Sequence, residues 1–436
     1  MSIELDPTQS TETSTTARVT RRVMPFLIGL FVVAFIDRVN VGFAKLEMGT
    51  SLGFDSEIFG FGAGIFFFGY FIFEIPGSYL VEVWSARKWL ARIIVSWGLV
   101  CVLTGFIESA NQFYIARFLL GVAEAGFFPG VIVYLSHWFR YQDRAKAVAM
   151  FMAAVPVANI VGGPISGFIL GLNWLGLEGW RWVFILEGIP ALILGVATLF
   201  YLTDRPKDAK WLTGEQKDWL STELEKEREV RRSATRQSVW MALTDPKVIL
   251  LTLTYFFGVT AAYGFNFWLP TIVKGFGFSN LQTALITSLP YFAGLGMMLL
   301  IGWSSDRSQE RRWHTALPLV AVSTGLFLGA SFSGSNTVMA MTMFCVACAG
   351  LYSYLPAFWA MPGIFLTEAA AAVAIGLINS VGNLGGFFGP YVVGYLDKQT
   401  GSHYFGIIYL SISALVAAML ALSLRKAGLT TAKAEQ

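Results

Sequence analysis

Four charged residues lie inside apolar stretches of the sequence, and they are the first candidates for chemistry. Asp37 and Arg38 lie in FLIGLFVVAFIDRVNVGFA, and Arg117 and Glu124 lie in FYIARFLLGVAEAGFFPG. A charge at mid-bilayer costs about 2.5–3.5 kcal/mol on insertion scales, so such residues usually line a path for ions or solutes. We therefore expect a transport site. The alternative is an interhelical ion pair that only stabilises a helix bundle.

The spacing of these residues suggests different tasks. Asp37 and Arg38 are neighbours, so about 100° of helical rotation separates their side chains. We expect Asp37 to take a proton and Arg38 to bind a substrate carboxylate, which suits the planar donors of a guanidinium. Arg117 and Glu124 are two helical turns apart on one face. Removal from water favours the protonated form of a carboxylate, whereas a nearby arginine favours the ionised form. Substrate arrival or helix movement can therefore change the proton occupancy of Glu124.

The composition is that of a membrane protein with many spans. Of 436 residues, 55% are hydrophobic and 14% charged, and the mean hydropathy is +0.60. The net charge of +3 is small, and the basic residues fall in short loops. Nucleic acid is therefore not an expected partner. No secretory signal is expected before the first span, and the three cysteines lie in apolar runs that favour packing over disulfides or redox chemistry.

Stretches long enough to cross about 30 Å of hydrocarbon predict twelve spans. They lie near residues 25–48, 58–81, 89–110, 112–138, 146–171, 180–202, 247–271, 282–303, 314–333, 336–360, 367–396 and 403–424. One set of loops carries most of the positive charge, in the groups Arg18, Arg21 and Arg22; Arg87 and Lys88; Arg140, Arg144 and Lys146; Arg307, Arg311 and Arg312; Arg425 and Lys426. The positive-inside rule then predicts that both termini are cytoplasmic.

The spans divide into two halves of six. We expect a cytoplasmic tail at 1–22, a six-helix bundle at 23–202, a cytoplasmic linker at 203–246, a second bundle at 247–424 and a tail at 425–436. Two features recur at nearly one offset, since Glu82 and Asp306 lie 224 positions apart and Gly162 and Gly385 lie 223 apart. This repetition indicates duplication of a six-span unit. Parallel six-span repeats typically hold a substrate site between them near the bilayer midplane.

Several motifs in order resemble the major facilitator superfamily and, within it, the anion:cation symporter family. They are IDRVNVGFAKL, GYFIFEIPGSYLVE, RFLLGVAEAGFFPGVIVYLSHWF, GWRWVFILEGIPA, YGFNFWLP, SSDRSQERRWHTALP and INSVGNLGGFFGPYVVGY. The likeness runs from about Arg22 to Leu424. It implies an all-α membrane protein with the major facilitator fold, and a carrier of organic anions such as tartrate, phthalate, hydroxyphenylacetate or sugar acids.

The resemblance also implies roles for individual residues. Asp37 and Glu124 match proton-coupling residues, Arg38 matches the arginine that binds the substrate carboxylate, and Arg117 matches an arginine that interacts with the coupling carboxylates. Further positions match the substrate cavity, namely Tyr70, Trp359, Asn379 and Asn383. In span seven, the polar candidates for substrate binding are Tyr263 and Asn266. Loops after spans two and eight match latches that balance the inward-open and outward-open states, through Glu82, Arg87, Asp306, Arg307 and Arg311.

Two departures from the family pattern remove hydrogen-bonding groups. Phe35 stands where some sugar-acid transporters have tyrosine, and Val155 stands where a glutamine would align. They suit a less hydroxylated anion, such as an aromatic or short carboxylate. Glu74 and Glu187 are expected near span ends, as partners of loop arginines or as helix caps. Glu368 is expected to complement a helix dipole.

The sequence therefore predicts a proton-coupled symporter that imports an organic carboxylate across the bacterial inner membrane by alternating access. An anion exchanger or uniporter without obligatory protons is one alternative, and a membrane sensor for a carboxylate is another. An enzyme is not expected, because His137, His314 and His403 lie near span ends and no metal cluster, nucleophile triad or phosphate loop is visible. No cofactor or metal is expected, and the resemblance implies a monomer.

Overall fold

The structure is a computed structural model that describes residues 7–233, 244–365 and 368–424. The described residues form helices and no strands. The helices of the first half are α1 (Pro7–Leu52), α2 (Ser56–Val83), α3 (Ala86–Thr104), α4 (Ala110–Glu124), α5 (Phe127–Ser136), α6 (Tyr141–Met152), α7 (Ala154–Ile169) and α8 (Gly179–Tyr201). A helix in the linker, α9 (Gly214–Ser233), follows a short 3₁₀ turn at Pro206–Asp208. The second half contains α10 (Pro246–Lys274), α11 (Asn280–Ser308), α12 (Arg312–Phe332), α13 (Thr337–Ala360), α14 (Pro362–Phe365), α15 (Glu368–Asn383), α16 (Gly385–Thr400) and α17 (His403–Ser423).

These helices make twelve membrane-length passes, which confirms the predicted all-α, twelve-span fold. Within the described ranges, ten helical segments are both long and apolar enough to cross a membrane. The other two passes miss that standard for local reasons. Helix α3 begins with Arg87, Lys88 and Arg92, and the eleventh pass is divided into α15 and α16, of 16 residues each.

Breaks interrupt three of the passes that the sequence predicts as continuous. The fourth pass breaks after Glu124, where Gly126 adopts a left-handed φ of +82° between α4 and α5. Glycine takes this conformation without steric cost, whereas other residues rarely do. Ala153 separates α6 from α7, and Leu384 separates α15 from α16. The first break places Glu124 at the last helical position of α4, in the interior of the bundle.

The two halves pack against each other along two main seams. Helix α2 packs on α16, and α7 packs on α11. Helix α1 also contacts α10 across the halves. Within the halves, α3 packs on α8, and α12 packs on α13 and α17. Six helices thus face the space between the halves, namely α1, α2, α7, α10, α11 and α16.

One end of the bundle, here called the far side, holds the start of α2 and the end of α16. Ser56 donates a hydrogen bond to Asp397 there, and Lys398 Nζ lies 2.9 Å from Asp55 and 2.8 Å from Glu57. A Cβ atom added at Gly60 would lie 2.6 Å from the Pro390 carbonyl oxygen. The backbones of α2 and α16 therefore touch, and the far side is closed in this structure.

The opposite end, here called the linker side, holds α9 and the start of α1. Thr11 donates a 2.7 Å hydrogen bond to Glu215 of α9. The Arg140 guanidinium lies 5.0 Å from the ring of Trp219, and the Tyr141 backbone N–H donates to Glu227 at 2.8 Å. Helix α9 is thus docked on the first half. The predicted tail at 1–22 is helical from Pro7 and continues directly into the first pass.

Candidate functional site

Arg38 and Glu124 form a buried ion pair between α1 and α4. One carboxylate oxygen of Glu124 accepts hydrogen bonds from Arg38 Nη2 at 2.5 Å and from Nε at 3.1 Å. The third nitrogen, Nη1, donates to the Tyr263 hydroxyl at 3.2 Å, across the halves. Glu124 is 1% exposed, and its second oxygen has no hydrogen-bond partner among the described residues. Arg38 is therefore held by a carboxylate of the protein on one edge and by the second half on another.

Arg117 lies on the same helix as Glu124 without bonding to it. Its side chain is fully buried, and its guanidinium carbon lies 5.2 Å from the ring centre of Phe66. Over the described part of the chain, none of its three nitrogens has a hydrogen-bond partner. The structure thus brings two guanidinium groups and one carboxylate into one cluster, with a second positive charge that lacks a direct partner.

Asp37 points away from Arg38, toward α3. Trp97 Nε1 donates to its carboxylate at 2.9 Å, and the Cys101 thiol lies 3.6 Å from the other oxygen. Asn40 donates to the same sulfur at 3.7 Å. Asp37 is fully buried and has no cation among its described hydrogen-bond partners. Because an unpaired buried charge is costly, this environment favours a protonated carboxyl group.

A central cavity of about 110 Å³ lies between the halves beside Arg38. By the same measure, one water needs about 10–15 Å³, so the cavity admits a small organic molecule. Its lining is mostly aromatic and aliphatic. It includes Phe31, Phe35, Tyr70, Phe128, Val155, Tyr255, Tyr263, Tyr352, Tyr354 and Trp359, with the amides of Asn266, Asn379 and Asn383.

The structure thus brings all seven of the proposed substrate-binding residues together. Arg38, Tyr70, Tyr263, Asn266, Trp359, Asn379 and Asn383 all line the cavity. Asp37, Arg117 and Glu124 lie behind that lining, so they can reach the cavity only through Arg38 or by movement. Asn266 accepts a 3.1 Å hydrogen bond from Tyr291, which orients its amide.

Sequence reasoning missed three tyrosines and one asparagine at this site. Tyr255, Tyr352 and Tyr354 line the cavity, and Asn159 of α7 donates a 3.3 Å hydrogen bond to Tyr352 of α13. Aromatic residues abound in every span, so no local signal distinguishes those that face the cavity. Asn159 is a polar residue in an apolar pass, which was an available signal.

The expectation for Glu74 and Glu187 was wrong. Neither lies at a helix end, since α2 runs from Ser56 to Val83 and α8 from Gly179 to Tyr201. Glu74 accepts a hydrogen bond from Asn379 across the halves, and Glu187 accepts one from Ser166 at 2.7 Å. Both are at most 5% exposed. Local sequence did not reveal their depth, because prolines and glycines shortly after each glutamate resemble a span boundary.

The loop residues proposed as latches lie outside this cluster. Arg87 donates from its backbone N–H to Asp204 at 2.8 Å and from its side chain to the Leu199 carbonyl at 3.2 Å, so it joins the start of α3 to the end of α8. Asp306 pairs with Arg311 at 2.6 Å, and the Arg307 guanidinium lies 5.5 Å from the Trp303 ring. The side chain of Glu82 lies outside the described residues.

Known proteins resemble this chain over nearly its whole length. The sequence pattern of the Major Facilitator Superfamily matches residues 26–390. A "Putative tartrate transporter" of Agrobacterium vitis is 43% identical over 96% of this chain and 93% of its own length. A "Quinolone resistance transporter" of Acinetobacter baumannii is 41% identical over 92% of this chain and 93% of its own. Relatives of nearly equal similarity thus carry names that imply different cargo.

The fold also matches solved structures. A bacterial homologue of the human lysosomal transporter Spinster, in an inward-facing and unoccupied conformation, superposes with a TM-score of 0.77. The match covers 95% of this chain and 99% of that one at 16% sequence identity. At this identity the likeness concerns the fold alone.

Proposed function

Because this chain belongs to the Major Facilitator Superfamily and is a multi-pass membrane transporter, we propose that it is a proton-coupled symporter that imports an organic carboxylate across the bacterial inner membrane. In this proposal the linker side faces the cytoplasm, and the two halves rock about the central cavity. The proposed residues are Arg38 for the substrate carboxylate, and Asp37 and Glu124 for protons.

The observation that carries this proposal is the double hydrogen bond from Arg38 to one oxygen of Glu124. Those two donors form the edge of the guanidinium that would bind a substrate carboxylate as a fork. Substrate and Glu124 therefore compete for the same edge. Protonation of Glu124 removes its charge, weakens the pair and releases Arg38 to the substrate. Binding of the anion then requires uptake of a proton, which is the basis of symport.

The cavity lining supports an aromatic carboxylate. It contains nine aromatic side chains and three amides. The rings can stack on an aromatic substrate, whereas Phe35 and Val155 offer no hydrogen bond to a polyhydroxylated chain. An aromatic carboxylate therefore fits the lining better than a sugar acid does.

The test is uptake by purified protein in liposomes under an inside-alkaline pH gradient. The probes are 4-hydroxyphenylacetate, phthalate, tartrate and a sugar acid. We expect 4-hydroxyphenylacetate to accumulate and an uncoupler to abolish that accumulation. Exchange that ignores the imposed gradient would support the exchanger instead, and binding without flux for every probe would support a sensor.

A further inference from the structure

Glu74 is a buried carboxylate that the proposed mechanism does not use. It comes from α2 of the first half and accepts a hydrogen bond from Asn379 of α15 in the second half. Ser380 contacts the same carboxylate. Glu74 is 3% exposed, and its other oxygen has no hydrogen-bond partner in the described part of the chain. The bond therefore closes the seam between the halves with an acid that has no ion-pair partner.

The position of this bond places it between the cavity and the linker side. Glu74 follows Ser56 by 18 residues along α2, or about 27 Å at 1.5 Å per residue, and Ser56 lies on the far side. Tyr70, one turn earlier in α2, lines the cavity, as does Asn379. The contact between α2 and α15 therefore lies at the end of the cavity that faces the linker side.

Burial determines which charge Glu74 can carry in this arrangement. An ionised carboxylate without a cation in a dry site costs several kcal/mol, so closure favours the neutral acid. Arg38 is the cation whose field reaches Glu74, but it is already engaged by Glu124. When the halves separate on the linker side, water reaches the carboxyl group and ionisation becomes favourable. The resulting charge repels a substrate carboxylate in the cavity.

The other titratable groups around Glu74 matter because each of them could also make transport depend on pH. Besides Arg38 on α1, two titratable groups interact electrostatically with Glu74, namely Tyr70 on α2 and Tyr255 on α10. Helix α15 presents no titratable side chain at its described positions 374–383. The helices packed on α2 carry further titratable residues: Asp37, Lys45 and Glu47 on α1; Tyr114, Arg117 and Glu124 on α4; Tyr134 on α5; Arg87, Lys88, Arg92 and Cys101 on α3; and Tyr391, Tyr395, Asp397 and Lys398 on α16.

We propose that Glu74 is a third proton carrier of the transport cycle, which takes up a proton from far-side water through the cavity while α2 and α15 are in contact and releases it to water on the linker side as they separate. The proton passes from the carboxyl group to water, and the carboxylate left behind prevents the anion from rebinding. This inference rests on the proposed function for its place in the cycle. The proton transfer itself can be measured without any substrate.

The first experiment is infrared difference spectroscopy of purified protein between acidic and alkaline pH. The wild type is expected to show a C=O stretching band of a protonated carboxyl group that is absent from Glu74→Gln. Identical bands in both proteins would overturn the proposal. Because no substrate is added, this result is independent of whether the transport probes are the right ones.

The second experiment measures counterflow of 4-hydroxyphenylacetate in liposomes from about pH 5 to pH 9, the range in which a buried carboxyl group titrates. Wild-type exchange is expected to depend on pH, whereas Glu74→Gln is expected to lose that dependence on the alkaline limb and to retain exchange. Glu74→Asp keeps an ionisable group and is expected to restore the dependence, even at a lower rate. A wild-type profile in Glu74→Gln, or a flat profile in Glu74→Asp, would contradict the proposal. Absence of flux in the wild type would count against the proposed function and leave the infrared result to decide this one.

Discussion

At the scale of single residues, Arg38 combines two contacts that bear on transport. It pairs with Glu124 in the first half and donates to Tyr263 in the second half. A ligand that takes over the edge held by Glu124 would leave the contact with Tyr263 in place. Arg38 can therefore link the protonation of one half to the position of the other through a single side chain.

The proton assignments lead to a first prediction. Asp37→Asn and Glu124→Gln should each abolish uptake against a gradient, because neither variant can bind and release a proton at that position. Counterflow, which needs no net proton movement, should persist in at least one of them. Glu223→Gln, which changes a partly exposed carboxylate on α9 that pairs with Lys226, is the matched control. Full acid-driven accumulation by both core variants would disprove the assignment.

The geometry of Arg38 leads to a second prediction. Arg38→Lys keeps the charge but replaces a planar fork with a point donor. Loss of one charged hydrogen bond costs about 1.5–3 kcal/mol, so KM for a carboxylate substrate should rise about 10- to 100-fold. Initial rates across a range of substrate concentrations measure this directly. A KM within twofold of the wild type would show that Arg38 does not bind the carboxylate as a fork.

The sequence predicted which charged residues belong to the site better than it predicted which of them pair with each other. Charges in apolar runs singled out Asp37, Arg38, Arg117 and Glu124, because their insertion cost is a property of each residue alone. The pairing of Arg38 with Glu124 rather than with Asp37 depends on how α1 packs beside α4, which no local pattern encodes. Glu74 was missed for the same reason, since its partner lies 305 positions away.

At the scale of helices, the contact between α2 and α16 depends on glycine. Gly60→Ala places a Cβ 2.6 Å from a backbone oxygen, so the helices must separate. The variant should be less thermally stable and should transport more slowly, because closure of the far side is impeded. Gly296→Ala is the control, since nothing lies within 4 Å of its added Cβ in α11. Equal melting temperatures for the two variants would show that the close approach is unimportant.

The start of α12 yields a prediction about pH. Burial raises the pKa of Glu310, but hydrogen bonds from the backbone N–H groups of Trp313 and His314 and from the His314 ring outweigh it, so the pKa lies below its ordinary value. A depressed pKa stabilises the folded protein above the unfolded-state pKa, and this contribution is lost as the pH falls through the folded value. Glu310→Gln should therefore melt about 2 °C lower at pH 7. The difference should shrink as the pH falls below about 4 and vanish once Glu310 is protonated in both the folded and the unfolded protein; a difference that persists at that point would contradict the assigned cause.

Helix existence followed from hydropathy, whereas helix continuity did not. Twelve apolar stretches of adequate length predict twelve passes, since each must satisfy its backbone hydrogen bonds within the bilayer. The interruption at Gly126 was not predicted, because glycine inside an apolar run is also common where helices pack closely. Only the tertiary arrangement shows that this glycine adopts a positive φ.

At the scale of the whole molecule, the far side is held by ion pairs that are partly exposed. Lys398 lies within ion-pair distance of both Asp55 and Glu57. Exposed pairs of this kind are individually weak, so Lys398→Gln should shift the balance toward opening of the far side by only about twofold. The readout is modification of Val155→Cys by a thiol reagent added on the far side. Lys226→Gln is the control; equal labelling of both variants would show that Lys398 does not hold the halves together.

The docking of α9 on the first half has a practical consequence for dividing this protein into two co-expressed fragments. The end of the last membrane pass, near Leu202, looks like the natural cut. That cut would separate α9 from Thr11, Arg140 and Tyr141, which contact it. A cut after Ser233 keeps α9 with the bundle on which it docks, and the reassembled pair should be the more stable and more active of the two designs.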